Sequence, residues 1–133
     1  MLAPRPSLLL APRVLGRWVK QLHGTAVVAK KMTALDAGAR ATELPPLTAA
    51  GWAVVSDRDA IKKNFNFANF NEAWSWMTAV ALAAEKLDHH PEWFNVYNKV
   101  EVTWSTHDCN GLSLKDVKMA KFCDEVAAKY LKK

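Results

Sequence analysis

An apolar stripe with helical spacing runs through residues 70–87 and is the strongest structural pattern in the sequence. Asn69 stands where an N-cap is expected, and Glu72 follows three residues later in a variant of the capping box. Pro91 disfavours helical geometry at the residue before it, so the helix should end between Leu87 and His89. A helix with one apolar side must be covered by other elements, which predicts a layered fold. The stripe recurs every three or four positions and comprises Phe70, Ala73, Trp74, Met77, Val80, Ala81, Ala84 and Leu87.

Alternating apolar residues on both sides of this helix predict two β-hairpins. Residues 52–55 and 61–67 form the first, with Ile61, Phe65 and Phe67 on one face. Residues 94–97 and 100–107 form the second, because they are rich in aromatic and β-branched side chains, and Asn98-Lys99 offers a two-residue turn between them. In its second arm one face carries Val100, Val102 and Trp104, and the other carries Glu101, Thr103, Ser105 and His107.

A second helix is predicted after Gly111, since Ser113 with Asp116 at N3 makes another capping box. Near the start, Pro45-Pro46 should interrupt any helix in residues 33–50 and leave only a short helical turn before Gly51. The order strand, strand, helix, strand, strand, helix predicts an α+β fold, a two-layer sandwich in which helices pack on one face of a four-stranded antiparallel sheet. The inner face of the last helix should hold Val117, Ala120, Cys123, Ala127 and Tyr130.

The charge distribution divides the chain into a leader, residues 1–31, and one domain, residues 32–133. The leader holds six basic and no acidic residues, whereas the remainder holds twelve basic and thirteen acidic residues, a formal charge of −1. Val14, Trp18 and Leu22 recur every four residues beside a basic face, which is typical of a mitochondrial transit peptide. The alternative is that Met32 is the true start and the upstream residues are a disordered or untranslated extension. Translation from Met32 would give a cytoplasmic and nuclear protein. The domain lacks the basic footprint of nucleic-acid binding, and no apolar stretch reaches membrane-span length, so we expect neither partner.

Three of the four histidines lie close together in the sequence at predicted element boundaries. His89 and His90 follow the long helix, and His107 ends a strand. Imidazole titrates near cellular pH, so these groups can give and accept protons in general acid/base catalysis. Helix capping is the alternative for His89, and simple capping at N3 is the alternative for Asp116.

Two other chemistries fit the residue types less well. His89, His90, His107 and Asp108 could ligate a metal, but neighbouring histidine side chains usually diverge. Cys109 lies near His107 in sequence, which does not place it beside the imidazole in space, so a nucleophilic cysteine is disfavoured. Trp93 could supply an apolar wall for a flat ring.

One continuous segment and several flanking residues resemble the pterin-4a-carbinolamine dehydratase family. The segment runs from Glu85 to Val100 and contains the run Asp88-His89-His90-Pro91-Glu92-Trp93. The similarity extends to roughly residues 50–128 through Gly51-Trp52, Arg58-Asp59-Ala60-Ile61, Phe67, Phe70, Asn71, Ser105-Thr106-His107-Asp108-Cys109 and Gly111-Leu112-Ser113.

The resemblance implies dehydration of 4a-hydroxytetrahydrobiopterin to quinonoid dihydrobiopterin in the recycling of tetrahydrobiopterin, with no metal or redox cofactor. It implies His89, His90 and His107 as catalytic residues; we hypothesise that His89 and His107 are general acids on opposite sides of the ring and that His90 anchors substrate or takes the N5 proton. It also implies a homo-oligomer, a dimer or a tetramer, and an alternative role as a dimerisation cofactor of a homeodomain transcription factor. The expected pterin-binding residues are Asp88, Trp93, Ser105, Thr106 and Asp108.

Overall fold

The computed structural model describes residues 31–131 and confirms the predicted α+β architecture. The four strands form one antiparallel sheet in the order β1-β2-β4-β3. Residues 1–30 of the predicted leader lie outside the described range, so the targeting function stays a prediction. No helix within residues 31–131 is long and apolar enough to cross a membrane. The elements are, in chain order, α1 (Ala37–Ala49), β1 (Ala53–Val54), β2 (Ile61–Asn66), α2 (Phe70–Leu87), β3 (Glu92–Val96), β4 (Lys99–Trp104), a 3₁₀ turn (His107–Cys109) and α3 (Leu114–Leu131).

The core lies between the helices and one face of the sheet. The alternation predicted for the strands is confirmed, because Ile61 and Phe65 of β2 are buried together with the three inward residues of β4. The predicted inner face of α3 is also buried, with Tyr130 partly covered at its end. Burying each of these large apolar side chains contributes about 1.5–3 kcal/mol, which holds the layers together.

The inner face of α2 contains Trp76 and not Trp74, which the apolar stripe had predicted to be buried. Trp76 is fully buried, whereas Trp74 is 55% exposed and Phe70 is 47% exposed. Trp76 packs on Phe65 with ring centroids 4.6 Å apart, and its Nε1 donates to the carbonyl oxygen of Cys123 in α3 at 3.0 Å. That carbonyl satisfies the indole N–H inside the core, so burial costs little polar free energy.

Helix α1 corrects the expectation that Pro45-Pro46 would leave only a short helical turn. The helix extends over Ala37–Ala49 with both prolines inside it. Proline has a φ close to helical values, but inside a helix it cannot donate the backbone hydrogen bond and its ring crowds the carbonyl group four residues earlier, so other contacts must offset this cost. The Asp36 side chain accepts from the N–H of Ala39 at 2.8 Å, and Leu47 is buried against the core. These contacts keep the segment helical.

The second hairpin turns one residue earlier than predicted. The turn residues are Tyr97 and Asn98 rather than Asn98-Lys99, because Val96 pairs with Lys99. The side chain of Asn95 bridges the turn, since its Nδ2 donates to the carbonyl oxygens of Tyr97 at 3.1 Å and of Lys99 at 2.8 Å. Strand β4 also ends at Trp104, so His107 belongs to the following 3₁₀ turn and not to the strand.

Candidate active site

A buried hydrogen-bonded cluster joins the end of α2 to the start of α3. His89 Nε2 lies 2.7 Å from Asp116 Oδ1, and the other carboxyl oxygen, Oδ2, accepts from the hydroxyl of Thr106 at 2.7 Å. The hydroxyl groups of Thr106 and Ser113 are 2.6 Å apart. All four residues are buried, and Asp116 has no exposed surface. A carboxylate accepts hydrogen bonds only, so this contact assigns the hydrogen of His89 to Nε2 and leaves Nδ1 outside the cluster.

The local backbone places His89 in this cluster. Helix α2 ends at Leu87 as predicted, and Asp88 takes the left-handed conformation with φ 48°. This conformation turns the chain sharply after the helix, and the N–H of His89 donates to the carbonyl oxygen of Ala84 at 3.0 Å. The imidazole then lies beside Trp104 of β4, with ring centroids 5.2 Å apart.

Asp116 has a role that its sequence position did not predict, because it contacts His89 in addition to capping α3. The predicted capping box forms, because Asp116 Oδ2 accepts from the Ser113 N–H at 2.7 Å while the Ser113 hydroxyl accepts from the Lys115 N–H at 3.2 Å. The same carboxyl group also holds His89. The only sequence signal was a carboxylate in the first helical turn, which is common, so its second partner could not be seen.

His90 points away from the buried cluster. Its side chain is 58% exposed, and Nε2 lies 2.8 Å from Glu85 Oε2 on the last turn of α2. An exposed pair of this kind contributes little to stability, typically 0–1 kcal/mol. The left-handed turn at Asp88 therefore gives two adjacent histidines different environments, one fixed and one in contact with solvent.

His107 lies at the same edge of the sheet as the two other histidines. Strands β3 and β4 are antiparallel, so the start of β3 lies beside the end of β4, where Glu92 pairs with Thr103. The pKa of Glu92 is lowered mainly by its hydrogen bond to Arg58, with a smaller electrostatic contribution from His107. His107 is therefore close enough to β3 to influence this carboxyl group.

The structure places the predicted pterin-binding residues in varied surroundings. The Ser105 hydroxyl donates to the carbonyl oxygen of Asp59 at 3.0 Å, and the Thr106 hydroxyl belongs to the buried cluster, so both serve internal contacts. Trp93 is half-buried against the core, while Asp88 and Asp108 are exposed. The assignment of these five residues to substrate binding stays a prediction.

Charged residues missed by sequence reasoning surround an open depression on the uncovered face of the sheet. Arg58 pairs with both carboxyl oxygens of Glu92, at 2.8 and 2.5 Å, and Lys62 pairs with Glu101 at 2.8 Å. The depression has a volume of about 340 Å³ and includes Thr103 in its lining. Arg58 was noted only within the family motif, and its partner 34 positions away carried no local signal.

Metal ligation was the first alternative to acid/base chemistry. Across residues 31–131, no group of three or more His, Cys, Asp or Glu side chains is arranged so that it could hold a metal ion. The donors of the cluster point to one another instead, as the contact between His89 and Asp116 shows. The arrangement fits proton transfer by an oriented imidazole.

The fold and the cluster define a small α+β domain with a buried contact between a histidine and a carboxyl group. Residues 31–126 match the family model described as pterin 4 alpha carbinolamine dehydratase, and the chain belongs to this family. A solved structure similar to this chain is the "transcriptional coactivator/pterin dehydratase from Brucella Melitensis". The two share 43% sequence identity with a TM-score of 0.64, over 71% of this chain and 99% of that chain.

Proposed function

We propose that the chain dehydrates 4a-hydroxytetrahydrobiopterin to quinonoid dihydrobiopterin and water. Family membership supports the substrate class, and the observation that carries the proposal is the buried hydrogen bond between His89 Nε2 and Asp116 Oδ1. It fixes one imidazole and leaves its Nδ1 as the atom that exchanges a proton. Acid/base chemistry of this kind requires no redox cofactor.

The reaction breaks one C–O bond and moves two protons. The hydroxyl group on C4a leaves with its bonding electron pair and needs a proton to depart as water. The N5–H bond loses its proton to a base, and its electrons form the C4a=N5 double bond. Because hydroxide is a poor leaving group, a positioned acid for the oxygen and a base for N5 lower the barrier.

The three histidines supply groups suited to these steps. His89 would act through Nδ1 while Asp116 holds Nε2. His107 is exposed on the 3₁₀ turn and would act as the second acid from the other side of the ring. His90, also exposed, would anchor the substrate or take the N5 proton. Trp93, at the start of β3, would offer an apolar surface to the pterin.

Steady-state rates of the full chain on 4a-hydroxytetrahydrobiopterin test these roles. We expect His89→Ala, His90→Ala and His107→Ala to lower kcat by about 10²–10⁴-fold where the imidazole transfers a proton. Losses below about tenfold for all three would reject histidine catalysis.

A matched variant separates proton transfer from structural support at His89. His89→Gln keeps an amide N–H that can donate to Asp116 but has no group that takes up a proton at neutral pH. We expect a melting temperature near that of the unmodified protein together with a loss of kcat as large as for His89→Ala. Full activity of His89→Gln would assign the imidazole a structural role.

A second candidate function, a protein-binding module, is favoured by the outer face of α2. Phe70 and Trp74 stack there with ring centroids 5.9 Å apart, and Leu82 further along the helix is 70% exposed. The Brucella Melitensis structure carries coactivator in its name beside pterin dehydratase. We propose that this face binds a second copy of the chain, in a dimer or tetramer, or a homeodomain transcription factor.

Sedimentation of the full chain and of Trp74→Ser with Phe70→Ser tests the second candidate. A lower oligomeric state with retained dehydratase activity would support a binding face separate from the catalytic site. An unchanged oligomeric state would contradict self-association through α2.

Microscopy of the full chain with a C-terminal tag tests the proposed mitochondrial location, and a nuclear signal would favour the transcription-factor partner.

A further inference from the structure

A closed ring of hydrogen bonds links α1 to the loop that carries His107. Arg40 of α1 donates through Nη2 to Asp59 Oδ2 and through Nε to the carbonyl oxygen of Leu35 at 3.1 Å. The Leu112 N–H donates to the same Asp59 oxygen at 2.9 Å, and the Leu112 carbonyl oxygen accepts from the Leu35 N–H at 2.7 Å. Each of the four residues therefore contacts two others of the ring.

Asp59 holds both ends of the His107 loop. Residues 107–110 are closed by an isolated bridge between Thr106 and Gly111, with backbone hydrogen bonds of 2.9 and 3.2 Å. The Asp59 carbonyl oxygen accepts from the Ser105 hydroxyl at 3.0 Å, just before this bridge, and its carboxyl group accepts from the Leu112 N–H just after it.

The fit between Asp59 and the loop leaves no free space at Gly111. A Cβ atom added at Gly111 would overlap Asp59 Oδ2 and would lie 3.2 Å from Asp59 Cγ. The carboxyl group is thus packed against the backbone it holds. The hydrogen bonds from Arg40 and then from the Leu112 N–H lower the pKa of Asp59 against the opposing effect of desolvation, so this group is ionised at neutral pH.

We propose that Arg40 and Asp59 are positioning residues that fix the His107 loop for catalysis, so that α1 controls the geometry of the active site from outside it. This inference rests on the proposed dehydratase function. Within residues 31–131 neither residue hydrogen-bonds to a histidine; they act through the stems of the loop. Small displacements of a catalytic group are sufficient to lower a rate strongly, because the reacting atoms must lie within a narrow range of distances.

Arg40→Ala tests the proposal with two independent readouts. The first is kcat and KM for 4a-hydroxytetrahydrobiopterin, where we expect a decrease in kcat of about tenfold or more with a smaller change in KM. The second does not depend on activity. Cys109 lies in the loop, with Sγ 3.6 Å from the Thr106 carbonyl oxygen and 3.5 Å from that of Gly111, so its reaction with Ellman's reagent reports opening of the bridge.

We expect Arg40→Ala to accelerate Cys109 labelling by about fivefold or more. The other described thiol, Cys123, is fully buried and its pKa is raised to about 12, so it does not contribute. Lys121→Ala is the matched control, because it removes an ion pair between α3 and Glu43 of α1 that lies outside the ring. This control should leave both kcat and the labelling rate unchanged.

Two further variants keep the test decisive. Gly111→Ala alters no charge but displaces Asp59, and it should reproduce the effects of Arg40→Ala. Arg40→Lys keeps a cation near Asp59 but cannot make both contacts of the guanidinium, and it should fall between Arg40→Ala and the unmodified protein.

The outcomes distinguish this inference from the proposed function. If Arg40→Ala has the same labelling rate and the same kcat as the Lys121→Ala control, the positioning role is overturned. Faster labelling with unchanged kcat overturns it too, because the loop would then open without consequence for catalysis. If the unmodified protein has no dehydratase activity, the proposed function fails, while labelling still shows whether α1 holds the loop.

Discussion

Replacing Asp116 tests whether one buried carboxyl group both stabilises the fold and orients the imidazole that we propose to be catalytic. Three donors point at it: His89 Nε2, the Thr106 hydroxyl and the Ser113 N–H, each at 2.7 Å. In Asp116→Ala the Thr106 hydroxyl retains the hydroxyl of Ser113 as a partner, whereas His89 Nε2 and the Ser113 N–H lose theirs. Each unsatisfied buried donor costs about 1–3 kcal/mol, so we expect a loss of about 2–6 kcal/mol in the free energy of unfolding.

Asp116→Asn separates catalysis from stability. If the amide oxygen replaces Oδ2, it retains the contacts with Thr106 and Ser113, and the amide NH₂ then faces His89 Nε2. The imidazole must accept there and is held in the neutral form with its hydrogen on Nδ1, so it loses the carboxylate that stabilises the imidazolium form a general acid requires. We expect kcat to fall by about 10²–10⁴-fold, while the free energy of unfolding falls by about 1–2 kcal/mol.

The assay combines urea unfolding with steady-state kinetics on the same preparations. Thr78→Ala is a suitable control, because its hydroxyl donates only to the Trp74 carbonyl oxygen at 2.8 Å on the exposed side of α2. It should leave kcat unchanged and stability within about 0.5 kcal/mol. The reasoning is refuted if Asp116→Asn keeps kcat within about tenfold of the unmodified protein.

Three other perturbations have outcomes fixed by burial and charge. Trp76→Ala should lower the free energy of unfolding by about 3–5 kcal/mol and Trp74→Ala by less than about 1 kcal/mol, as measured by urea unfolding; equal losses would contradict the observed core. The lowered pKa of Asp59 gives stability that is complete above the ordinary carboxyl pKa and is lost as pH falls through the lower folded value, so melting temperature should drop less between pH 7 and 3 in Asp59→Asn. Cys123 should stay unmodified by Ellman's reagent at pH 8 until urea unfolds the protein, and rapid labelling in the folded state would contradict its burial and its pKa of about 12.

Periodicity was sufficient to predict the layers of the fold because each face of a strand or helix is decided by near neighbours in sequence. It identified the buried face of β4 and most of the inner face of α3. Periodicity assigned Trp74 and not Trp76 to the buried face of α2, since both residues lie near the margin of the apolar stripe. The decision depends on Phe65 and on the Cys123 carbonyl oxygen, which belong to other elements.

Predictions made from the local sequence around one residue failed where contacts with other parts of the chain decide its structure or its role. Pro45-Pro46 predicted a break, but the cap at Asp36 and the burial of Leu47 preserve α1. Asp116 showed only its local capping role, because His89 lies 27 positions away. A carboxylate at N3 satisfies a local rule completely, so nothing in the sequence indicates that it has further partners.

The neighbouring histidines show how a single backbone conformation can give two adjacent side chains different surroundings. If α2 continued without a break, His89 and His90 would both project from its surface, about 100° apart. The left-handed Asp88 instead directs His89 to a buried carboxyl group and leaves His90 beside Glu85 in solvent. A fixed imidazole can be aimed at one substrate atom, whereas an exposed one exchanges protons readily with water. In the dehydration that we propose, one proton is supplied and another is removed, and the turn at Asp88 would provide a fixed and an exposed imidazole from consecutive residues.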